Sequence, residues 1–397
     1  MRLAFLGTDP DALSLLAAAI RAGHVVVWLG EVRSEDADEA GRLVPHRQSS
    51  AEWELLLDRE FADAVVIGRG TASDDLRAEQ LKRLATDAAA LLVVHPATSS
   101  VLTYYEVDMA RRESGCVVRH HNPLAGHPVV ADLARWLRDG HEAVGRVVQV
   151  TCDRALAEPA REAVLNHFAR DAELLRAVVG DIRSTSAIGP RDQKGSYASL
   201  QVQMAIDGDA SARWSVAPAS GGNRGAVLTL IGERGTVALL MPADPATGDG
   251  WELRTETAGR EESQELPAWD PAQASIEALA TAIASVDDSG AAASTWETAT
   301  EAMEVVDAAE LSLQKGKSVD VHHQKLTEQL AFRGTMAALG CGVLMLGLLV
   351  LVATTLLGGV EAMWGQPLIP YWPLVLFGML ALFLLLQAVP LLVKKRK

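Results

Sequence analysis

The sequence predicts an α/β protein: a doubly wound parallel sheet, then an α+β domain with an open, mainly antiparallel sheet, then two transmembrane helices. Three observations carry this. Strand-like and helix-like periods alternate over roughly the first 118 residues. From residue 184 to 240 strand follows strand with turn residues between them. Between Arg333 and Glu361, and again between Glu361 and Lys394, there is no Asp, Glu, Lys, Arg or His. Each gap exceeds the about 20 residues that a helix needs to cross hydrocarbon.

Residues 2–6 form a short apolar strand, and residues 11–22 place Leu13, Leu16, Ala17 and Ile20 on one helical face. Residues 25–29 are a continuous valine-rich run of the kind buried on both sides of a parallel sheet. A polar loop over 33–42 leads to a helix at 53–57, a strand at 64–67, a helix at 76–85 and a strand at 91–94. A helix at 104–113 and a strand at 116–118 follow. Such alternation of strand and helix argues for parallel, right-handed crossovers. Beyond residue 146 come a strand at 147–151 and a helix at 163–179. Strands are expected at 184–188, 198–206, 211–216, 226–231 and 236–240, with Asp207-Gly208 and Gly221-Gly222 as turns. This reads as a meander. Residues 248–271 are polar without a period, and helices at 272–286 and 298–313 close the soluble part. The domain bounds are therefore 1–118 and 119–325, with spans at 334–358 and 369–393.

The chain has 397 residues, 49% hydrophobic and 5% aromatic, which excludes disorder. From Leu326 on, five basic and two acidic side chains give +3. The rest therefore carries −18 of the total −15. An acidic body repels phosphate backbones, so no nucleic-acid partner is expected. Cys116, Cys152 and Cys341 are too few and too scattered for a disulfide framework or a metal site, and no metal ligands are assigned. His120, His121 and His127 lack matching carboxylate or cysteine spacing. No secretory leader is expected, because Thr8, Asp9, Pro10 and Asp11 interrupt the first apolar run. Lys325 and Arg333 flank the first span, and Lys394, Lys395, Arg396 and Lys397 follow the second. The expected location is thus the inner (cytoplasmic) membrane, two-pass, with the soluble domains and the C-terminus in the cytoplasm.

The first strand ends at Leu6-Gly7 and is followed by Thr8-Asp9-Pro10-Asp11-Ala12, the position of the G-x-G-x-x-G/A loop in a Rossmann-type dinucleotide fold. Gly7 suits the tight turn and Ala12 suits close helix packing, but the middle glycine is Asp9. Asp9 followed by Pro10 also starts a helix well without a ligand, because the carboxylate caps free N–H groups and offsets the dipole. Two readings stand side by side: a weakened nucleotide site, or a helix whose own carboxylate takes the phosphate position. Glu31, ending the second strand, can bond an adenosine ribose and favours NAD over NADP.

Over roughly residues 1–321 the order of segments resembles the Gfo/Idh/MocA oxidoreductases. The residues concerned are Asp63-Ala64-Val65-Val66-Ile67, Leu92-Val93-Val94-His95-Pro96, His120-His121-Asn122-Pro123 with His127-Pro128, and Glu173-Leu174-Leu175-Arg176 with Gly180-Asp181. Leu230 to Thr236, and the stretch from Ala309 to Val321 with Ser312 and Gly316-Lys317, add to it. The resemblance implies NAD or NADP as cofactor, with Gly7, Thr8, Asp9, Ala12, Glu31, Gly68 and Pro96 as the cofactor-lining positions. It also implies a sugar- or cyclitol-like ligand and association into a homo-oligomer through the open sheet. Members move a hydride with a lysine from Glu-Lys-Pro and an Asp/His pair on the first helix of the second domain. At the matching catalytic positions this chain has His95, Asn166 and Arg170, with Glu173 at a further aspartate position. His167 and Asp171 are the neighbouring groups able to assist; otherwise Arg170 and Asp171 read as surface charges.

Two functions follow. One is a membrane-anchored NAD(P)-dependent oxidoreductase with a divergent site, its hairpin contacting membrane lipid. The other is an inactive relative serving as a binding or scaffold module at the membrane.

Overall fold

The computed structural model describes residues 1–44, 52–190, 196–219, 224–285 and 296–321. The chain divides into two units, Met1–His323 and Gln324–Lys397, and the second lies outside the described residues. So do both expected spans, 334–358 and 369–393. Among the described residues no helix is long and apolar enough to cross a membrane.

The first sheet is parallel. Its strands are β1 (Arg2–Leu6), β2 (Val25–Gly30), β3 (Ala64–Ile67), β4 (Ala90–Val94) and β5 (Val117–His121), in the order β2-β1-β3-β4-β5. Every residue of β3 and β4 is buried, as their unbroken apolar runs require when both faces are covered. On one face lie α1 (Pro10–Arg21) and α7 (Pro271–Ala284), where Ile276 and Leu279 pack with Leu13, Leu16, Phe5, Val66 and Leu92. On the other lie α3 (Asp74–Asp87) and α4 (Val101–Ser114). Strand β5 runs through His120 and His121, beyond the expected end at 118. Both imidazoles are buried, a placement that polar spacing does not announce.

The second sheet is mixed rather than a plain meander. Its strands, in sequence, are β6 (Val147–Leu156), β7 (Ile182–Ile188), β8 (Gln201–Ile206), β9 (Ser211–Pro218), β10 (Arg224–Gly232), β11 (Gly235–Pro242), β12 (Glu252–Thr257), β13 (Arg260–Glu265) and β14 (Val319–Asp320). They are ordered β13-β12-β11-β10-β6-β9-β8-β7-β14, so β6 enters between β10 and β9 and pairs with β9 in parallel. The helix α6 (Arg161–Val179) between β6 and β7 makes that insertion possible. Strand β8 alternates exposed and buried, with Gln201, Gln203 and Ala205 on the open face.

Three elements depart from the sequence expectation. Part of the 33–42 loop is the short helix α2 (Ala37–Leu43), and residues 53–57 form a 3₁₀ turn rather than an α-helix. The 248–271 segment contains the β12–β13 hairpin. All six β13 residues are exposed, so no apolar alternation betrays the strand. Its two-residue loop closes on Gly259 at φ 84, a conformation that favours glycine.

Helix α5 (Val129–Asp139) follows β5, and the closing helix α8 (Trp296–Lys315) joins the two lobes. The Trp296 ring stacks on Tyr104 at 4.8 Å and its Nε1 donates to the Tyr104 carbonyl at 2.9 Å. One hydrophobic core therefore runs from β3 and β4 through α4 and α8 to the second sheet.

The docking of α7 on the first sheet, far from it in sequence, makes a clear prediction. Leu279→Ala, at a fully buried position, should cost about 2–5 kcal/mol in urea unfolding of the full chain. A cost below 1 kcal/mol would mean that α7 is not packed there.

Candidate functional site

The site is built where the first sheet's C-terminal ends meet α6. Gly7 takes φ 87, and a Cβ there would lie 2.8 Å from the Gly68 carbonyl oxygen; a Cβ on Gly68 would lie 2.8 Å from the Ala12 methyl. The loops after β1 and β3 thus touch directly across the start of α1. Asp9 caps that helix: Oδ1 accepts the Ala12 N–H at 2.8 Å, and Oδ2 accepts the Arg69 N–H at 2.8 Å. Both carboxylate oxygens are engaged at the position where a dinucleotide fold binds diphosphate. Thr8 is buried and its Oγ1 accepts the Arg33 N–H at 3.0 Å.

Glu31, the expected ribose partner, adopts φ 52 and turns into the protein. Its Oε2 accepts from Arg77 Nη2 at 2.7 Å and its Oε1 from Gln80 Nε2 at 2.6 Å, and both of those side chains are buried. Arg77 also donates to the Arg69 carbonyl at 2.9 Å. Nothing in the local sequence around Glu31 signals partners 46 and 49 residues away.

The positions expected from the resemblance to be catalytic, His95, Asn166 and Arg170, are brought to one region. His95 follows the last residue of β4, buried, with Pro96 buried beside it. Its ring meets Tyr104 edge-on at 5.9 Å and His120 at 5.8 Å, and its Nδ1 lies 3.3 Å from the Tyr104 hydroxyl. Burial pushes the imidazole down to about 3, with His120 and Arg170 adding to the effect against the opposing charge of Glu173. A base matched to neutral pH needs the opposite. Behind it, His120 Nε2 and Asn122 Nδ2 hold the two Glu173 oxygens at 2.7 and 2.8 Å. Burial alone would raise the Glu173 carboxyl; His120, His95 and Asn122 outweigh it and hold it at about 2.

Arg170 and Asp171 are not surface charges. Arg170 Nε donates to the His95 carbonyl at 2.8 Å and its Nη2 pairs with Asp11, which ties α6 to β4 and α1. Asp171 is fully buried, paired with Arg154 and accepting the Trp214 indole N–H at 2.8 Å. Both of its oxygens are thereby engaged. The hydrophobic spacing of α6 gave no sign of this, because the charge is buried only once β6 and β9 cover it. Asn166, one turn before Arg170, and His167 are half-buried on α6. Burial pushes His167 to about 4, with Arg154, Arg170 and Arg69 contributing.

His121 Nδ1 lies 2.8 Å from Ser275 Oγ on α7, and His127 stacks on Trp251 at 4.3 Å. The three clustered histidines thus go to separate partners, and among the described residues no group of three His, Cys, Asp or Glu is arranged to hold a metal. An open depression of about 1040 Å³ lies away from these groups, against the C-terminal ends of α5 and α6 and the β8–β9 turn. Two of its charges, Arg146 and Asp209, pair with one another.

No family model and no curated protein matches the sequence. Solved structures do, and several of them are described as oxidoreductases. A 3-ketoreductase from Actinomadura kijaniata in complex with NADP is 19% identical, with a TM-score of 0.64 over 79% of this chain and 97% of that one. An aldose-aldose oxidoreductase from Caulobacter crescentus complexed with glycerol is 17% identical, with a TM-score of 0.63 over 81% and 99%. The transcriptional regulator Gal80p from Kluyveromyces lactis is 13% identical, with a TM-score of 0.62 over 81% and 94%. At these identities the likeness establishes the fold alone, a parallel Rossmann-like sheet followed by a mixed-sheet domain.

Burial of His95 disfavours its proton and so makes the stability of the fold depend on pH. The unfolded chain takes up this proton near pH 6.5 and the folded one only near 3, so stability is intact above pH 6.5 and is lost as pH falls toward 3. His95→Gln should flatten that limb by up to about 1.4 kcal/mol per pH unit, read from urea midpoints. An unchanged slope would show that the imidazole is not held neutral.

Proposed function

We propose that this chain is a ligand-binding or scaffold module on an oxidoreductase fold, closed to tight dinucleotide binding and lacking the usual proton relay. One observation carries the reading: both oxygens of Asp9 are bonded to backbone N–H groups at the diphosphate position. A bound diphosphate would face this buried carboxylate and its neighbour Asp11, so the residues present do not fit the cofactor. The capture of Glu31 by Arg77 and Gln80 removes the ribose acceptor as well. At the catalytic positions, His95 is neutral and enclosed and Arg170 is bound to Asp11. Neither can hold and return an alcohol proton. That a neighbour of this fold is described as a transcriptional regulator is in keeping with a role other than turnover.

The second reading, an NAD(P)-dependent oxidoreductase acting on a sugar- or cyclitol-like substrate, draws support from neighbours solved with NADP or glycerol. In either case the two uncharged stretches after Arg333 support anchoring in the cytoplasmic membrane, with the soluble body facing the cytoplasm. The open face carrying Gln201, Gln203 and Ala205 is the surface through which a homo-oligomer would form.

Titration of detergent-purified full chain with NADH and NADPH, read by nicotinamide fluorescence and melting temperature, separates the two. The wild type should show no saturable signal below millimolar concentrations, and Asp9→Gly should improve affinity by about tenfold or more, roughly 1.4 kcal/mol. Micromolar binding by the wild type, or turnover of any polyol, would overturn the closed-mouth reading.

A further inference from the structure

The order β2-β1-β3-β4-β5 reverses direction between β1 and β3, and an open parallel sheet takes its ligands in the crevice outside the carboxyl ends at such a point. In this chain the crevice is crossed by a side chain of its own. Arg170 stands on α6, and its guanidinium reaches two walls at once. Its Nε donates to the His95 carbonyl at 2.8 Å, just past β4, and its Nη2 pairs with Asp11 in the first turn of α1, just past β1. Because β3 lies between β1 and β4, the fork passes over its end, a span of two strand spacings or roughly 10 Å. The arginine and aspartate side chains are only 13% and 7% exposed.

The root of this arm is fixed as well. The Arg170 carbonyl accepts Asn122 Nδ2 at 3.1 Å, from the loop after β5, and the next residue, Asp171, is held on the opposite side by Arg154 and Trp214. The arm is thus held at both ends. Its far end matters energetically: without the guanidinium, the Asp11 carboxylate would stay nearly buried and lose its ion-pair partner, an unfavourable state. A planar fork satisfies a carboxylate and a carbonyl together, which a single ammonium does less well.

We propose that Arg170 is an autoinhibitory strap: its guanidinium fills the seat that the crevice at the β1–β3 reversal offers to a ligand, and keeps that crevice shut. The strap acts further along the crevice than Asp9, which faces the start of α1 and the loop after β3, and does not depend on it. Taking the arm away should leave a seat, walled by the Asp11 carboxylate and the His95 carbonyl, that a free guanidinium ion fits.

The test uses full chain in detergent, with methylguanidinium as probe against methylammonium and sodium at matched ionic strength, well below denaturing concentrations. Melting temperature, titration calorimetry and hydrogen exchange are the readouts. Arg170→Ala should melt below the wild type and bind methylguanidinium saturably, about tenfold or more tighter than methylammonium, whereas the wild type should show no saturable response. In the same variant the amides of residues 11–13, 97 and 98 should exchange about tenfold faster and slow again with the probe, while the β10–β11 ladder keeps its rate. No saturable response in Arg170→Ala, an equal one in the wild type, or faster exchange spread evenly through β10–β11 would overturn the proposal. If Arg170→Ala does not fold, Arg170→Lys decides. It keeps the charge beside Asp11 without the fork, so exchange at 97 and 98 should rise while 11–13 stay protected; wild-type rates at all of these positions overturn the strap. Nucleotide titration reads Asp9 and this series reads Arg170, so either idea can fail alone.

Discussion

The free N–H groups at the start of α1 need acceptors, and the Asp9 carboxylate meets that need on two fronts. One oxygen caps Ala12 in its own helix and the other takes the N–H of Arg69 from the loop after β3. That bridge fixes the two loops against each other, at the contact where Gly7 and Gly68 leave no room for a Cβ. It also orients Arg69, and the Arg69 carbonyl in turn receives Arg77, which holds Glu31. A single carboxylate thus organises the whole mouth of the sheet, and a phosphate there would have to displace it.

A second network ties the lobes together behind that mouth. Arg170 reaches Asp11 on α1 and the end of β4, while Glu173, one turn further along α6, receives His120 and Asn122 from β5 and the loop after it. These hydrogen bonds and ion pairs cross between α6 and the first sheet, an arrangement that rigidifies the junction. The pair formed by Arg154 and Asp171 closes the far side against Trp214. Arg170, Glu173 and Asp171 are thus each engaged in contacts that hold the fold.

Much of the first sheet was legible because the chain's local chemistry and its final burial agree. Ala64–Ile67 and Ala90–Val94 are unbroken apolar runs and are buried on both faces. The capping role of Asp9 was legible too, since Asp followed by Pro at a helix start acts within four residues. Partners such as Arg69, 60 residues on, were not, because no short-range pattern encodes them. The β12–β13 hairpin escaped notice because an edge strand exposed on both faces needs no alternation.

The sequence by itself determined the alternating strands and helices, the acidic charge, and the Asp9-Pro10 start of the first helix. Each of these is a property of residues close together in the chain. Tertiary structure alone decided that β6 inserts beside β9, that α7 returns to cover the first sheet, and that Asp171 and Glu31 are occupied by partners far along the chain. The reason is physical: a buried charge is tolerated only where folding brings it an opposite charge or a hydrogen-bond donor, and that pairing exists only after distant segments have packed.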